Sequence, residues 1–197
     1  MGLDLHLYPV RLDSAPVRLI RTDAEVWEEA CLHPPFGAIE DEPVPVVNRE
    51  LMAALPDGFE LTRCFSDRSF DQAEYLLDPV AHRRQTSWQE RQRSLPYRII
   101  HGDQEFASFA RGGQGVPWRC STAAFLAESA ATIDAIDVAA NRREFSVAEM
   151  HDLGIYKAFR GQPDDEAFAR VLNNLRQLAA YHHRLVDSGL DLIIELD

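Results

Sequence analysis

The sequence predicts a single α+β domain in which a long C-terminal helix covers a small sheet built partly from the two chain ends. Between Asp164 and Asp187, apolar residues at Phe168, Val171, Leu172, Leu175, Leu178, Ala179, Leu185 and Val186 recur in steps of three, four and seven. That spacing lays them along one stripe of a 3.6-residue helix. Leu190, Leu192, Ile194 and Leu196 then alternate with Asp191, Ile193 and Glu195, the period of a strand with one mainly apolar face. At the other end Leu3, Leu5 and Leu7 alternate with Asp4, His6 and Tyr8, so each terminus offers a strand to the same sheet. With 197 residues and 46% hydrophobic content, the chain is long enough to bury one core.

Taken in order, the opening strand is limited by Pro9, and Val17 to Arg21 is expected to form a second strand. Thr22-Asp-Ala-Glu25 has the form of a capping box ahead of a helix bearing Val26, Trp27, Ala30 and Cys31, which Pro34-Pro35 ends. Phe36 to Val47 has no periodicity; it contains Glu40-Asp-Glu42 and then Pro43-Val-Pro45, an acidic surface loop by composition. Asn48 is expected to cap a helix through Leu55, Pro56-Asp-Gly58 to turn, and Phe59, Leu61 and Phe65 to lie on a strand. Ser69-x-x-Gln72 caps a helix carrying Phe70, Ala73 and Leu77, closed by Pro79. Tyr97 to Ile100 reads as a short strand and Arg111 to Gly115 as a turn. Thr122 caps a helix to about Asp137. Ser146-Val-Ala-Glu149 is a second capping box, with Phe145 and Met150 placed as its hydrophobic staple and Gly154 at its end. In the long helix, acidic residues in the first turn complement the dipole and Gly189 supplies the stop. Asp165, Arg170, Asn174, Arg176 and Arg184 are expected on its wet face.

Several of these pieces carry a family resemblance: Phe125 to Asp134, Arg143 to Met150, Gly154-Ile-Tyr156, and Tyr181 to Leu196. In order and spacing they resemble the YfbM-like family, a bacterial domain family of unknown function. The resemblance is clearest over residues 122–197 and fainter at Ser69 to Leu77 and Leu95 to Gly102. Where that family usually carries an aromatic-His pair, this chain has Asp71-Gln72. The resemblance implies one α+β domain over residues 1–197, with 1–66 as the more divergent part and 67–197 as the family-like part. It implies no reaction.

Charge narrows the partners. A net charge of −12 argues against nucleic acid, whose phosphates need a basic surface, and suits a basic protein or plain solubility. No apolar run approaches the length of a membrane span and no basic-then-apolar leader opens the chain, so no membrane partner and a cytoplasmic location are expected. Gly2 followed by His6 rather than Ser or Thr is a poor myristoylation signal. Cys31, Cys64 and Cys120 form neither a zinc knuckle nor a redox pair, and Gly112, Gly113 and Gly115 lack the spacing of a phosphate loop, so no cofactor or metal is expected. His182 and His183 point about a hundred degrees apart on a helix, with His182 on the apolar stripe and Asp191 within reach of one of them.

Three functional readings follow. The preferred one is a non-enzymatic, acidic protein-binding domain of the toxin-neutralising (immunity) type, with Glu40, Asp41 and Glu42 as its candidate contact with a basic partner. The second is a small hydrolase or transferase. In it, Cys120 or Ser121, at a strand-to-helix junction where a helix N-terminus lowers a thiol pKa, works with His101 and Asp103 or with His151 and Asp152. The third is a housekeeping domain that binds a small anion at the one basic segment, His82 to Arg98, through the forks of Arg83, Arg84, Arg91 and Arg93. Against it stands the simpler alternative that these arginines pair with the chain's own surplus carboxylates.

Overall fold

The computed structural model describes residues 3–39, 41–65, 68–84, 87–112 and 115–197. The two terminal strands lie at the middle of a five-stranded antiparallel sheet. β1 (Leu5–Val10) pairs with β2 (Arg63–Cys64) on one side and with β5 (Asp191–Leu196) on the other. β5 pairs in turn with β4 (Arg119–Ser121), which carries β3 (Gln104–Glu105), giving the order β2-β1-β5-β4-β3. Leu7 stands opposite Ile194 and Tyr8 opposite Ile193, and the Asp197 amide donates to the Asp4 carbonyl at 2.9 Å.

Eleven helices lie among the described residues. They are α1 (Ala15–Thr22), α2 (Ala24–Ala30), α3 (Val46–Ala53), α4 (Phe70–Leu77), α5 (Pro79–Arg84), α6 (Trp88–Arg93), α7 (Leu95–His101), α8 (Ala123–Asp134), α9 (Val138–Glu144), α10 (Val147–Asp152) and α11 (Asp164–Asp187). None is long and apolar enough to cross a membrane.

The two-residue strand period sends Leu5, Leu7, Leu192 and Ile194 to one face of the sheet, where they join Phe168, Val171, Leu175 and Leu178 of α11 in the larger core. It sends Tyr8, Val10, Cys120 and Ile193 to the other face, against Val17, Ile20, Trp27 and Leu51 of α1 to α3. The closing strand thus has the one mainly apolar face expected of it, Leu192, Ile194 and Leu196, while its other face sends Ile193 into the second core between the half-buried Asp191 and Glu195. On the second face Tyr8, Trp27 and Trp118 interlock, with Trp118 stacked on Tyr8 at 5.5 Å and edge-on to Trp27 at 4.7 Å between centroids.

The long helix has the bounds expected of it. Its stop is a Schellman turn: Gly189 has φ +62°, the Leu190 amide donates to the Leu185 carbonyl at 2.8 Å, and the Gly189 amide donates to that of Val186 at 3.0 Å. Asn174, expected in water, is buried and donates to Ser69 Oγ at 2.9 Å. It lies three residues after Val171 and four before Leu178, so it shares their stripe.

Other elements differ from expectation for local reasons. Val17 to Arg21 lies in α1, where Pro16 suits the first turn and Val17 and Ile20 bury a single helical face. Tyr97 to Ile100 lies in α7, with Pro96 in its first turn and Ser94 Oγ as its cap, accepting from the Tyr97 amide at 3.3 Å. Pro79 opens α5 as well as following α4. The helix from Thr122 stops at Asp134, and Asp137 caps α9 by accepting from the Ala140 amide at 2.9 Å. Of the expected 59–65 strand, Arg63 and Cys64 pair with β1 and the Phe65 amide donates to the Leu5 carbonyl at 2.9 Å. Asp23 rather than Thr22 caps α2. Ser69 makes no capping bond. Ser146 caps α10 as expected, but the Glu149 carboxylate turns to Tyr75 and Arg83 instead of back to the cap. The Gly113 part of the expected 111–115 turn lies outside the described residues.

Candidate functional site

Helix α2 buries Trp27 and Ala30, which leaves Glu25, Glu28 and Glu29 exposed. Beyond it the chain turns through residues 31–39 and is fixed from below by Asn48. This residue was expected to cap α3 but lies buried within it, and its amide donates to the Ala30 and Pro34 carbonyls at 2.9 Å each. Within the turn the Ile39 amide donates to the Leu32 carbonyl at 3.0 Å, which sets the two residues side by side. Both are exposed, Leu32 at 51% and Ile39 at 36%. Asp41 and Glu42 follow directly and are exposed; Glu40 lies outside the described residues. Among the described residues Glu25, Glu28, Glu29, Asp41, Glu42 and Glu50 form no ion pair. An exposed apolar pair flanked along the chain by acidic residues can exclude water at its centre and steer a cationic partner toward it.

The basic segment is organised differently. Arg83 on α5 grips Glu149 through Nε and Nη2, Glu144 through Nη1 at 2.9 Å, and the Glu144 carbonyl at 3.2 Å. Arg91 on α6 meets Glu74 through Nε at 2.9 Å and Nη2 at 2.8 Å, and Asp71 at 2.5 Å. These two side chains are committed to separate carboxylate sets, whereas Arg84 and Arg93 are exposed. Arg83 and Arg91 thus spend their forks on different carboxylates of the chain itself.

The Arg91 end of this network is the most deeply buried charged cluster. Glu74 is fully enclosed and also bonded to His101 Nε2 at 3.1 Å, and the Tyr97 ring stacks on His101 at 4.4 Å between centroids. Burial disfavours the Glu74 carboxylate, but hydrogen bonds from His101 and Arg91 outweigh it and hold its pKa down at about 2. Asp71, Glu74 and His101 could together present a hard cation with three ligand atoms within 4.8 Å of one another. The Arg91 guanidinium already supplies the compensating charge there. The only sequence signal for this cluster is the i,i+3 spacing of Asp71 and Glu74; His101 and Arg91 arrive through tertiary packing.

Cys120 and Ser121 do sit where β4 runs into the Thr122 cap of α8. Cys120, however, faces the second core, fully buried, and burial pushes its thiol up to about 11, the reverse of the activation expected at that junction. Ser121 is buried as well, and His101 is turned to Glu74. His151 and Asp152 are exposed and 3.7 Å apart on α10. His182 is buried with Ser129 Oγ at 3.1 Å from Nδ1, and His183 meets Asp134 at 2.8 Å on the surface. Asp191 reaches neither: its carboxylate accepts from the Leu12 amide at 2.7 Å and the Ala123 amide at 2.8 Å, tying both flanking loops to β5.

No family model matches the chain. No curated protein matches it. Among solved structures it is similar to the crystal structure of YfbM from Escherichia coli, a protein of unknown function, with a TM-score of 0.61 at 11% identity, covering 98% of this chain and 99% of that one. Likeness over nearly the whole of both chains, at so low an identity, speaks to backbone architecture alone: this chain has a YfbM-like fold.

Proposed function

We propose that the chain is a non-enzymatic binding domain that docks a basic protein on the face formed by α2, the following turn and Asp41-Glu42, and that its role is to neutralise that partner, as an immunity-type protein does a toxin. One observation carries the reading: exposed Leu32 and Ile39 lie side by side, with Glu28, Glu29, Asp41 and Glu42 within four residues of them along the chain and, among the described residues, in no ion pair. Away from this face the most deeply buried carboxylate is matched internally, Glu74 by Arg91 and His101, and the exposed Arg83 is held by Glu144 and Glu149. The −12 net charge adds long-range attraction for a cationic surface.

The test is affinity capture by the tagged protein at low salt, followed by titration of the recovered partner. The expected partner is basic, its affinity falls steeply as salt rises, and Leu32→Asp or Asp41→Arg with Glu42→Arg weakens binding by about tenfold or more. Capture of nothing above background sinks the proposal. So does capture of a partner indifferent to both the salt and these substitutions.

A further inference from the structure

A groove of about 750 Å³ opens where the β1–β2 edge meets the first turns of α11, walled in part by Asp4, Phe65, Arg68, Lys157, Phe159 and Arg170. Its size falls in the range of about 300–1,000 Å³ typical of small-ligand sites. Three independent features converge on it.

The first is charge. In a chain of net −12 its walls carry, among the described residues, three cationic side chains and one carboxylate. That carboxylate, Asp4, is held in a two-pronged pair by Arg68 at 2.7 Å on each arm, and the Arg68 hydrogen bonds keep its pKa below the usual value. Arg170 donates to Gln72 Oε1 at 2.9 Å and forms part of the wall. Lys157, the only lysine in the sequence, makes no ion pair among the described residues.

The second is the aromatic surface. Lys157 Nζ lies 5.5 Å from the centroid of the Tyr156 ring and 5.8 Å from that of Phe159. Phe159 is 60% exposed, the most open of the large apolar side chains described. The third is the backbone. Among the described residues Arg68 (φ +61°) and Lys157 (φ +60°) are the two non-glycine residues held in the left-handed region, and both line this groove. Side chains with a Cβ rarely adopt that conformation, and it gathers at binding sites where the fold over-determines it.

We propose that this groove binds a small organic anion, a carboxylate or phosphate carried on a flat apolar body, with Lys157 Nζ meeting the anionic group and Phe159 covering the body. A lysine ammonium is a compact charge that accepts an anion from several directions, and an exposed ring beside it gains apolar contact only when the ligand brings an apolar surface. This site is distinct from the acidic face, and neither reading rests on the other.

Isothermal titration with phenyl phosphate, benzoate, inorganic phosphate and phenol tests it. At least one aromatic anion should saturate a single site with Kd of about 1 mM or lower, and inorganic phosphate and phenol should each bind roughly tenfold more weakly or not at all. Phenyl phosphate favoured over benzoate, or the reverse, tells which anionic group the groove prefers. Lys157→Met and Phe159→Ala should each cut affinity about tenfold while keeping the wild-type Tm within a few degrees, since neither side chain is part of the core. No saturable binding of either aromatic anion, or affinity unchanged by Lys157→Met, would overturn the proposal.

Discussion

Glu74 is where burial and charge oppose each other most sharply. A fully enclosed carboxylate is tolerable only because Arg91 and His101 bond both of its oxygens, so the three side chains act as one unit. Glu74→Ala would leave Arg91 partly buried with Asp71 as its remaining carboxylate, and is expected to cost about 3–5 kcal/mol, read from the midpoint of urea unfolding. The folded pKa is depressed to about 2, so the contribution of Glu74 is complete above the usual carboxyl value near 4.5 and is lost as pH falls through 2. Glu195 behaves in the opposite sense. Burial, opposed in part by the 2.6 Å hydrogen bond from Tyr8 and reinforced by Asp197, pushes its carboxyl up to about 7. Its contribution is complete below about 4.5 and is lost as pH rises through 7. Glu195→Gln keeps an acceptor for Tyr8 without the charge, and should raise Tm at pH 8 while leaving it nearly unchanged at pH 4. An equal shift at both pH values would assign the effect to packing instead.

At the level of elements, α11 holds the larger core together: Phe168, Val171, Leu175 and Leu178 reach from α10 to β1 and β5 in one apolar cluster. Leu175→Ala should cost about 2–5 kcal/mol, with a lower urea midpoint and an unchanged m-value, because the fully buried site cannot collapse around the lost methyls. This helix was legible because its 24 residues repeat one period often enough to outvote local ambiguity. Val17 to Arg21 and Tyr97 to Ile100 were not, because four or five apolar-rich residues fit a strand or one turn of helix equally well, and what marks each as helical is a single proline in the first turn. The candidate sites were legible in proportion to how local they are. Asp41 and Glu42 announced themselves by composition, whereas the Leu32–Ile39 pairing depends on a turn held by Asn48. The Glu74 cluster joins α4, α6 and α7. The groove gathers Asp4, Arg68, Lys157 and Arg170 from separate stretches, and no spacing in the sequence encodes that meeting.

For the molecule as a whole, the −12 charge has two consequences of opposite sign, and salt separates them. Within one chain the surplus carboxylates repel one another, so the compact state carries an electrostatic cost that screening relieves. The enclosed Glu74–Arg91 pair is shielded from counterions far better than the exposed glutamates of α2, so added salt removes more repulsion than attraction. Raising NaCl from about 10 to 150 mM, where the Debye length shrinks from roughly 30 to 8 Å, should therefore raise Tm of the free protein at pH 7. Between chains the same screening weakens attraction to a basic partner and lowers affinity over the same interval. The two measurements must move in opposite directions if the acidic face is an interaction surface. A partner that binds more tightly as salt rises would be held by apolar contact alone, and the carboxylates around Leu32 and Ile39 would then serve solubility rather than recognition.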